Sequence, residues 1–335
     1  MHRARTIPMT QTKTIFVAST LLTSLLSLAP YLAVATDNTF EKTFTITGPT
    51  ARIELDNPSG NVDIHAGKDG VVHVHAKVTP GGWSLFGNGE KSAQEILANP
   101  PLEQKGDTIH IGKNSTYLKN VSIDYVIEVP KDTQLDAGLA SGGITVKMLR
   151  GPINVSTASG YTHIYQIERE VQVTAASGSV DIGTVNGYVR VSSASGSIDI
   201  SDVKGDIKAN AASGSIQVDR PSDRVDVSSV SGSIKINGAT NDVKAHVISG
   251  PITVNGNPSS NRFWELKTVS GSVDILVPRS ASFLLSAEAT SGDIRTGIPV
   301  IIEEQNKHYL RAHLGDSSGR VEVHTVSGEI QVNGT

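Results

Sequence analysis

Cysteine is absent from all 335 residues. Disulfides, thiolate metal sites, a lipidated N-terminal cysteine and cysteine nucleophiles are therefore excluded together. Aromatic residues make up only 4% of the chain, which suits a core of Ile, Val and Ala better than one of interlocking rings. Basic residues are not in excess, since 29 Lys and Arg stand against 33 Asp and Glu. That balance argues against nucleic acid or anionic lipid as a partner. Beyond the N-terminus no apolar run is long enough to span a bilayer.

The one apolar run, Ile15 to Leu28, follows a basic start (His2, Arg3, Arg5, Lys13) and ends on Ala33-Val34-Ala35. This order describes a cleavable secretory signal over residues 1–35. Thr20, Thr23, Ser24, Ser27 and Pro30 interrupt the run and favour cleavage over anchoring. Cleavage would take three of the basic side chains and no acid. The mature chain is expected to be soluble, more acidic, and located in the periplasm, at the cell surface or outside the cell.

What the sequence does have is a period. Ser-Gly pairs end in Gly142, Gly160, Gly178, Gly196, Gly214, Gly232 and Gly250, each 18 residues after the last. Such self-similarity marks a stacked protein whose repeats pack on their neighbours. Each unit has two halves of nine, as in Ser195-Gly-Ser-Ile-Asp-Ile-Ser-Asp-Val203 followed by Lys204-Gly-Asp-Ile-Lys-Ala-Asn-Ala-Ala212. After each glycine, apolar residues alternate with polar ones, as at Ile198 and Ile200, the pattern of a half-buried strand. Ile164, Val180, Ile198 and Ile216 should enter apolar ladders, with Ala209, Ala211 and Ala212 in a thin interior. Glycine supplies the sharp bend or the close approach of a neighbouring chain. The preceding serine can bond backbone there.

The period loosens at Gly271 and Gly292, then halves between Gly319 and Gly328. Val321, Val323, Ile330 and Val332 should face inward, and Gly297 to Leu314 reads as an elaborated coil or edge hairpin. The fold class expected is all-β: a single-stranded parallel β-solenoid of 18-residue coils, right-handed from crossover chirality. Residues 138–335 form the repeats and residues 36–137 the N-terminal β segment that opens and caps them. In that segment strands are expected at Thr43–Thr47, Arg52–Leu55, Asn61–His65, Val71–Val78, Thr108–Ile111 and Ser122–Val129. A short helix is expected at Glu90–Ala98.

Three stretches together resemble a known group: Tyr125-Val-Ile-Glu-Val-Pro-Lys-Asp-Thr-Gln-Leu135 with Ala140-Ser-Gly-Gly-Ile-Thr-Val146, the Ser-Gly array, and Ile275-Leu-Val-Pro-Arg279 leading to Ala289-Thr-Ser-Gly-Asp-Ile294 and Thr325-Val-Ser-Gly-Glu-Ile330. The chain is similar over about residues 50–332 to a bacterial β-strand-repeat family of unknown function, often labelled adhesins. The resemblance implies a parallel β-solenoid exported to the envelope. It carries no catalytic residues, and the label names no mechanism.

The search for chemistry gives mostly structural readings. Serine recurs at every bend, and no G-x-S-x-G elbow is present. Asp181 and Asp199 share an outward column that Asp274 and Asp293 are expected to continue; Gln217, Lys235 and Thr253 break it. Paired carboxylates could serve a glycosidase, but a solvated face is the simpler account. A calcium β-roll needs a second glycine and an Asp in every turn, which this chain lacks. His73 and His75 share a strand face near His65, with no third metal ligand apparent. Asn114, Asn120 and Asn154 lie in N-x-S/T triplets. No cofactor is expected.

Two aromatic groups stand out. Tyr161, His163 and Tyr165 fall on the outer face, where other coils carry Ser and Asp, either packed under the Trp83 loop or a cap or exposed as a contact row, with Tyr188 on the other wall. Trp83, Leu85 and Phe86 sit in a glycine-rich loop that could plug one end of the stack or offer a contact. Tyr161, His163, Tyr165, Trp83 and Phe86 are thus the candidate contact residues. The function expected is an exported, non-enzymatic binding or structural module with a protein or glycan partner in the envelope. The alternatives are a polysaccharide-active β-helix enzyme and a self-assembling envelope scaffold. The scaffold would associate end to end through an uncovered strand at Glu329 to Val332.

Overall fold

The computed structural model describes residues 38–81, 89–112, 120–258, 260–316 and 318–335. The signal-like segment 1–35 and the loop bearing Trp83, Leu85 and Phe86 lie outside these residues. Residues 37–335 form one compact unit, with no break at 137/138; the strand Thr133–Leu139 crosses that position.

Two long sheets account for nearly all of it, of 14 and 15 strands. Each repeat gives one strand to each sheet, for example Val180–Val185 and Val189–Ser195. Pairing through the repeats is parallel and in step: Val180 stands opposite Ile198, and Ile198 opposite Ile216. Alternation decides which side chains meet between the sheets. Val180, Ile182, Val185, Val189 and Val191 are all at most 1% exposed. Fully burying each such side chain contributes roughly 1.5–3 kcal/mol relative to exposure. Branched hydrocarbons suit the stack because identical shapes repeat at one strand spacing of about 4.8 Å.

Each repeat turns two corners. At the first, the Ser-Gly glycines form a column running from Gly60 through Gly142 and on to Gly250, Gly271, Gly328 and Gly292. Gly214 has φ +129°, and a Cβ there would lie 2.1 Å from the carbonyl oxygen of Gly196. Gly271 lacks the positive φ but keeps the close approach, 2.0 Å to the Gly250 oxygen. Ser159 and Ser177 bond not within their own bend but across to the preceding repeat, donating to the carbonyls of Ala140 and Ala158, each at 3.2 Å. The second corner is built differently. Met148, Gln166, Thr184, Asp202 and Arg220 all take left-handed φ of 51–60°, and Gly238 follows at 79°.

The ends are not simple continuations. At the C-terminal end, Gly319–Ser327 inserts between Phe263–Ser270 and Phe283–Ser291, while Ile330–Gly334 inserts between Val273–Val277 and Ile294–Thr296. The expected free edge at Glu329 to Val332 is therefore wrong, because that strand is paired on both sides. The outer positions go instead to the short strand Ile294–Thr296 and to an antiparallel hairpin, Ile301–Gln305 with Tyr309–Leu314. This is the edge hairpin expected between Gly297 and Leu314.

The N-terminal end has the same plan. Ala51–Asn57 and Val62–Ala66 form a coil inside the stack, flanked outwardly by Thr108–Ile111 and Val121–Val129. Antiparallel strands complete the cover: Val71–Pro80 and Thr39–Thr45 on one sheet, Leu102–Lys105 on the other. The helix Gly89–Ala98 turns Ala93 and Ile96 into the core. Tyr125 packs its ring edge-on against Phe40, with centroids 6.3 Å apart. Among the described residues no helix is long and apolar enough to cross a membrane.

Candidate interaction surfaces

The strand Thr162–Ile167 turns Thr162 and Ile164 inward and His163 and Tyr165 outward, with Tyr161 just before it. The three rings form a row. Tyr161 and His163 have centroids 4.8 Å apart at 35°, and His163 and Tyr165 6.3 Å apart at 60°. Missing side chains make room for them. A Cβ on Gly143 would lie 2.0 Å from the Tyr161 ring, and one on Gly183 would lie 2.9 Å from the Tyr165 ring. The row thus lies down on two glycines of the flanking strands, and the expected outward placement of all three residues holds.

Carboxylates adjoin the row. Asp181 stands opposite His163 and accepts a hydrogen bond from the Tyr165 hydroxyl. Asp199 stands opposite Asp181, and the next position is Gln217, so no Lys or Arg flanks the pair along this column. Partial burial, then the charges of Asp181 and Asp219, hold the Asp199 carboxyl above its ordinary range. Tyr165 is pushed up to about 12 by partial burial, by its bond to Asp181 and by the charges of Asp181 and Asp199. Asp219 accepts from Gln217 Nε2 at 2.7 Å and from Asn237 Nδ2 at 2.6 Å. Asp293 does not continue the column as expected: Arg295 pairs with Gln331, which pairs with Asp274.

The other sheet bears a groove of about 1070 Å³ that runs across successive repeats. It follows the residue immediately before the Ser-Gly pair from Pro58 to Val230, and Ala212 is part of it, exposed and not interior as expected. Between these ends that residue is alanine, from Ala140 to Ala212. Farther along, the same position holds Val230, Ile248, Val269 and Val326, 48%, 54%, 48% and 40% exposed, beside a second hollow of about 490 Å³. Beneath the stripe, Thr157 and Ser193 are 6% exposed and their hydroxyls lack a hydrogen-bond partner. At equivalent positions Ser229, Thr268 and Thr325 donate to the carbonyls of Gly214, Gly250 and Gly271. The sequence signal was present, an apolar residue before each Ser-Gly pair from Ala140 to Val269, but its outward direction follows only from how the chain leaves the strand.

The histidines do not assemble. His75 Nδ1 lies 3.0 Å from Glu41, His73 Nδ1 3.1 Å from Thr43 and His65 Nδ1 3.1 Å from Asp63. Among the described residues no three ligands gather as a metal site. Tyr188 is 47% exposed on the second sheet's side, as expected.

A family model described as Toastrack DUF4097 matches residues 99–236 and, in an overlapping match, residues 189–333. No curated protein matches the chain. Two solved structures resemble it. One, provisionally described as a cell adhesion protein from Clostridium sporogenes, is 11% identical, with 89% of this chain and 100% of that chain covered and a TM-score of 0.22. The other, provisionally described as an adhesin from Bacteroides fragilis, is 13% identical, with 89% and 97% covered and a TM-score of 0.35.

Proposed function

The chain belongs to the Toastrack DUF4097 family, and we propose that it is an exported, non-enzymatic β-solenoid that binds a glycan or protein of the cell envelope. Right-handed winding of 18-residue coils belongs to the same reading. The observation that carries it is the Tyr161–His163–Tyr165 row, laid flat beside Asp181 and Asp199. Flat rings take up the C–H faces of a sugar or the apolar part of a side chain, and the carboxylates accept hydrogen bonds from hydroxyl or amide groups. The signal-like N-terminus supports export.

The test is a pull-down from envelope extract with the chain and its Tyr161→Ala/Tyr165→Ala variant. A retained component that falls about tenfold or more with the variant is the expected result. Equal retention, or none by either chain, rejects the reading.

One observation favours a second reading. Two neighbouring carboxyl groups, one of them held toward its protonated form, are used in glycoside hydrolysis, and Asp199, opposite Asp181, is a carboxyl held that way. A polysaccharide-cleaving enzyme would show turnover that Asp199→Asn abolishes; no turnover across a polysaccharide panel removes this alternative.

A further inference from the structure

The apolar stripe is divided by size about one residue. Counting strand by strand from Ala212, the first step meets Ala194 on one side and Val230 on the other. The next steps meet Ala176 and Ile248, then Ala158 and Val269, then Ala140 and Val326. The fifth meets Pro58 and Thr290. One half is therefore a trough of small residues, and the other is a ridge of exposed branched ones with the same spacing.

We propose that this stripe is the interface of an antiparallel two-fold dimer of this chain, with the axis at Ala212. Turning a second copy end for end places its Val230, Ile248, Val269 and Val326 against Ala194, Ala176, Ala158 and Ala140 of the first, and the reverse. Such an isologous contact uses one patch twice and closes on itself. Strand spacing is equal in both copies, so ridge and trough stay in step along the contact.

Over the nine strands of the contact the flanking column opposes no two charges of one sign. The column beside the stripe reads Gly138, Ser156 and Thr174 along the trough and His246, Lys267 and His324 along the ridge. End-for-end packing sets each basic or imidazole group against an uncharged partner and places Asn210 opposite its own copy. Asp56, at the trough's end, comes one strand from His324 of the second copy; Glu288, its direct counterpart, already has its own His324 at 3.5 Å. Nine strands at ~4.8 Å and a strip ~15 Å wide give about 650 Å² per copy, or ~1,300 Å² in all. That total lies at the low end of stable interfaces, so a reversible dimer is expected.

The absence of cysteine makes the test clean. Ala212→Cys, on the axis, should form a disulfide-linked dimer by itself under mild oxidation. Ala158→Cys and Val269→Cys should each cross-link poorly alone and well when mixed. Sedimentation equilibrium should show dimerisation weakened about tenfold or more by Ile248→Ala/Val269→Ala and restored when Ala176→Ile/Ala158→Val is added. A strict monomer up to about 0.5 mM would overturn the proposal and leave the stripe to another occupant, such as an apolar peptide or a lipid. Equal cross-linking of all three single-cysteine chains, or no gain on mixing, would also overturn it.

Discussion

Thr162 occupies a position that in the other repeats holds a branched hydrocarbon. It stands between Ile144 and Val180, is 1% exposed, and its hydroxyl has no hydrogen-bond partner. Thr162→Val keeps the shape and removes the unmet hydroxyl, so urea unfolding should show a gain of about 1 kcal/mol; a loss would mean the hydroxyl is bonded. On the opposite face of the sheet, Asp199 carries a cost that depends on pH. Its carboxyl binds a proton more tightly in the folded chain than in the unfolded one, so stability falls as pH rises through the range above its ordinary value. Asp199→Asn should raise the Tm at neutral pH, and the difference should vanish in acid, where Asp199 itself is neutral. A gain that persists in acid would assign the effect to something other than charge. Inward and outward directions of residues such as Val180 and Asp181 were legible in the sequence because alternation is a strong signal. Asp293 was misplaced because its residue type was followed and not its distance from the glycine. Counted from Gly292, it aligns with Ser272.

At the scale of the element, the two corners differ in how visible they are. The Ser-Gly corner announces itself, because a side chain there would strike the preceding repeat's backbone. Gly214→Ala should therefore cost roughly 3 kcal/mol or more, measured by denaturant unfolding; a change under about 1 kcal/mol would contradict the close packing of the column. The second corner left no sign. Its left-handed residues are Met148, Gln166, Thr184, Asp202 and Arg220, which share a position and no chemistry. Left-handed backbone is uncommon for a β-branched residue, so Thr184→Gly should be stabilising or neutral, in contrast to a Gly substitution in an ordinary strand. A loss above about 1 kcal/mol would show that the Thr184 side chain repays its strain. Strands and the helix Gly89–Ala98 were readable from local pattern alone. The strand Leu102–Lys105 was not, having one partly buried residue and three exposed ones.

For the whole molecule, the parallel stack was legible and its closures were not. Nothing periodic records that the last coil tucks beneath Phe283–Ser291, since that placement depends on contacts between segments with no repeat in common. It has a measurable consequence. Ending the chain after Leu314 removes the strands that join Phe283–Ser291 and Ile294–Thr296 to the stack. Residues 281–314 should then become sensitive to limited proteolysis, while the repeats up to residue 277 resist; resistance throughout would contradict the inserted order. The two tucked coils also bear on how such a molecule can grow. Because the coils 51–66 and 319–334 are already paired on both sides, a duplicated unit appended at either terminus would find no open edge on a repeat-like coil, only the edges of the covering strands. One spliced in between Gly160 and Gly250 would meet matching neighbours above and below and carry each lid outward unchanged. Elongation is thus an internal event in this architecture, and the extremities are inherited whole.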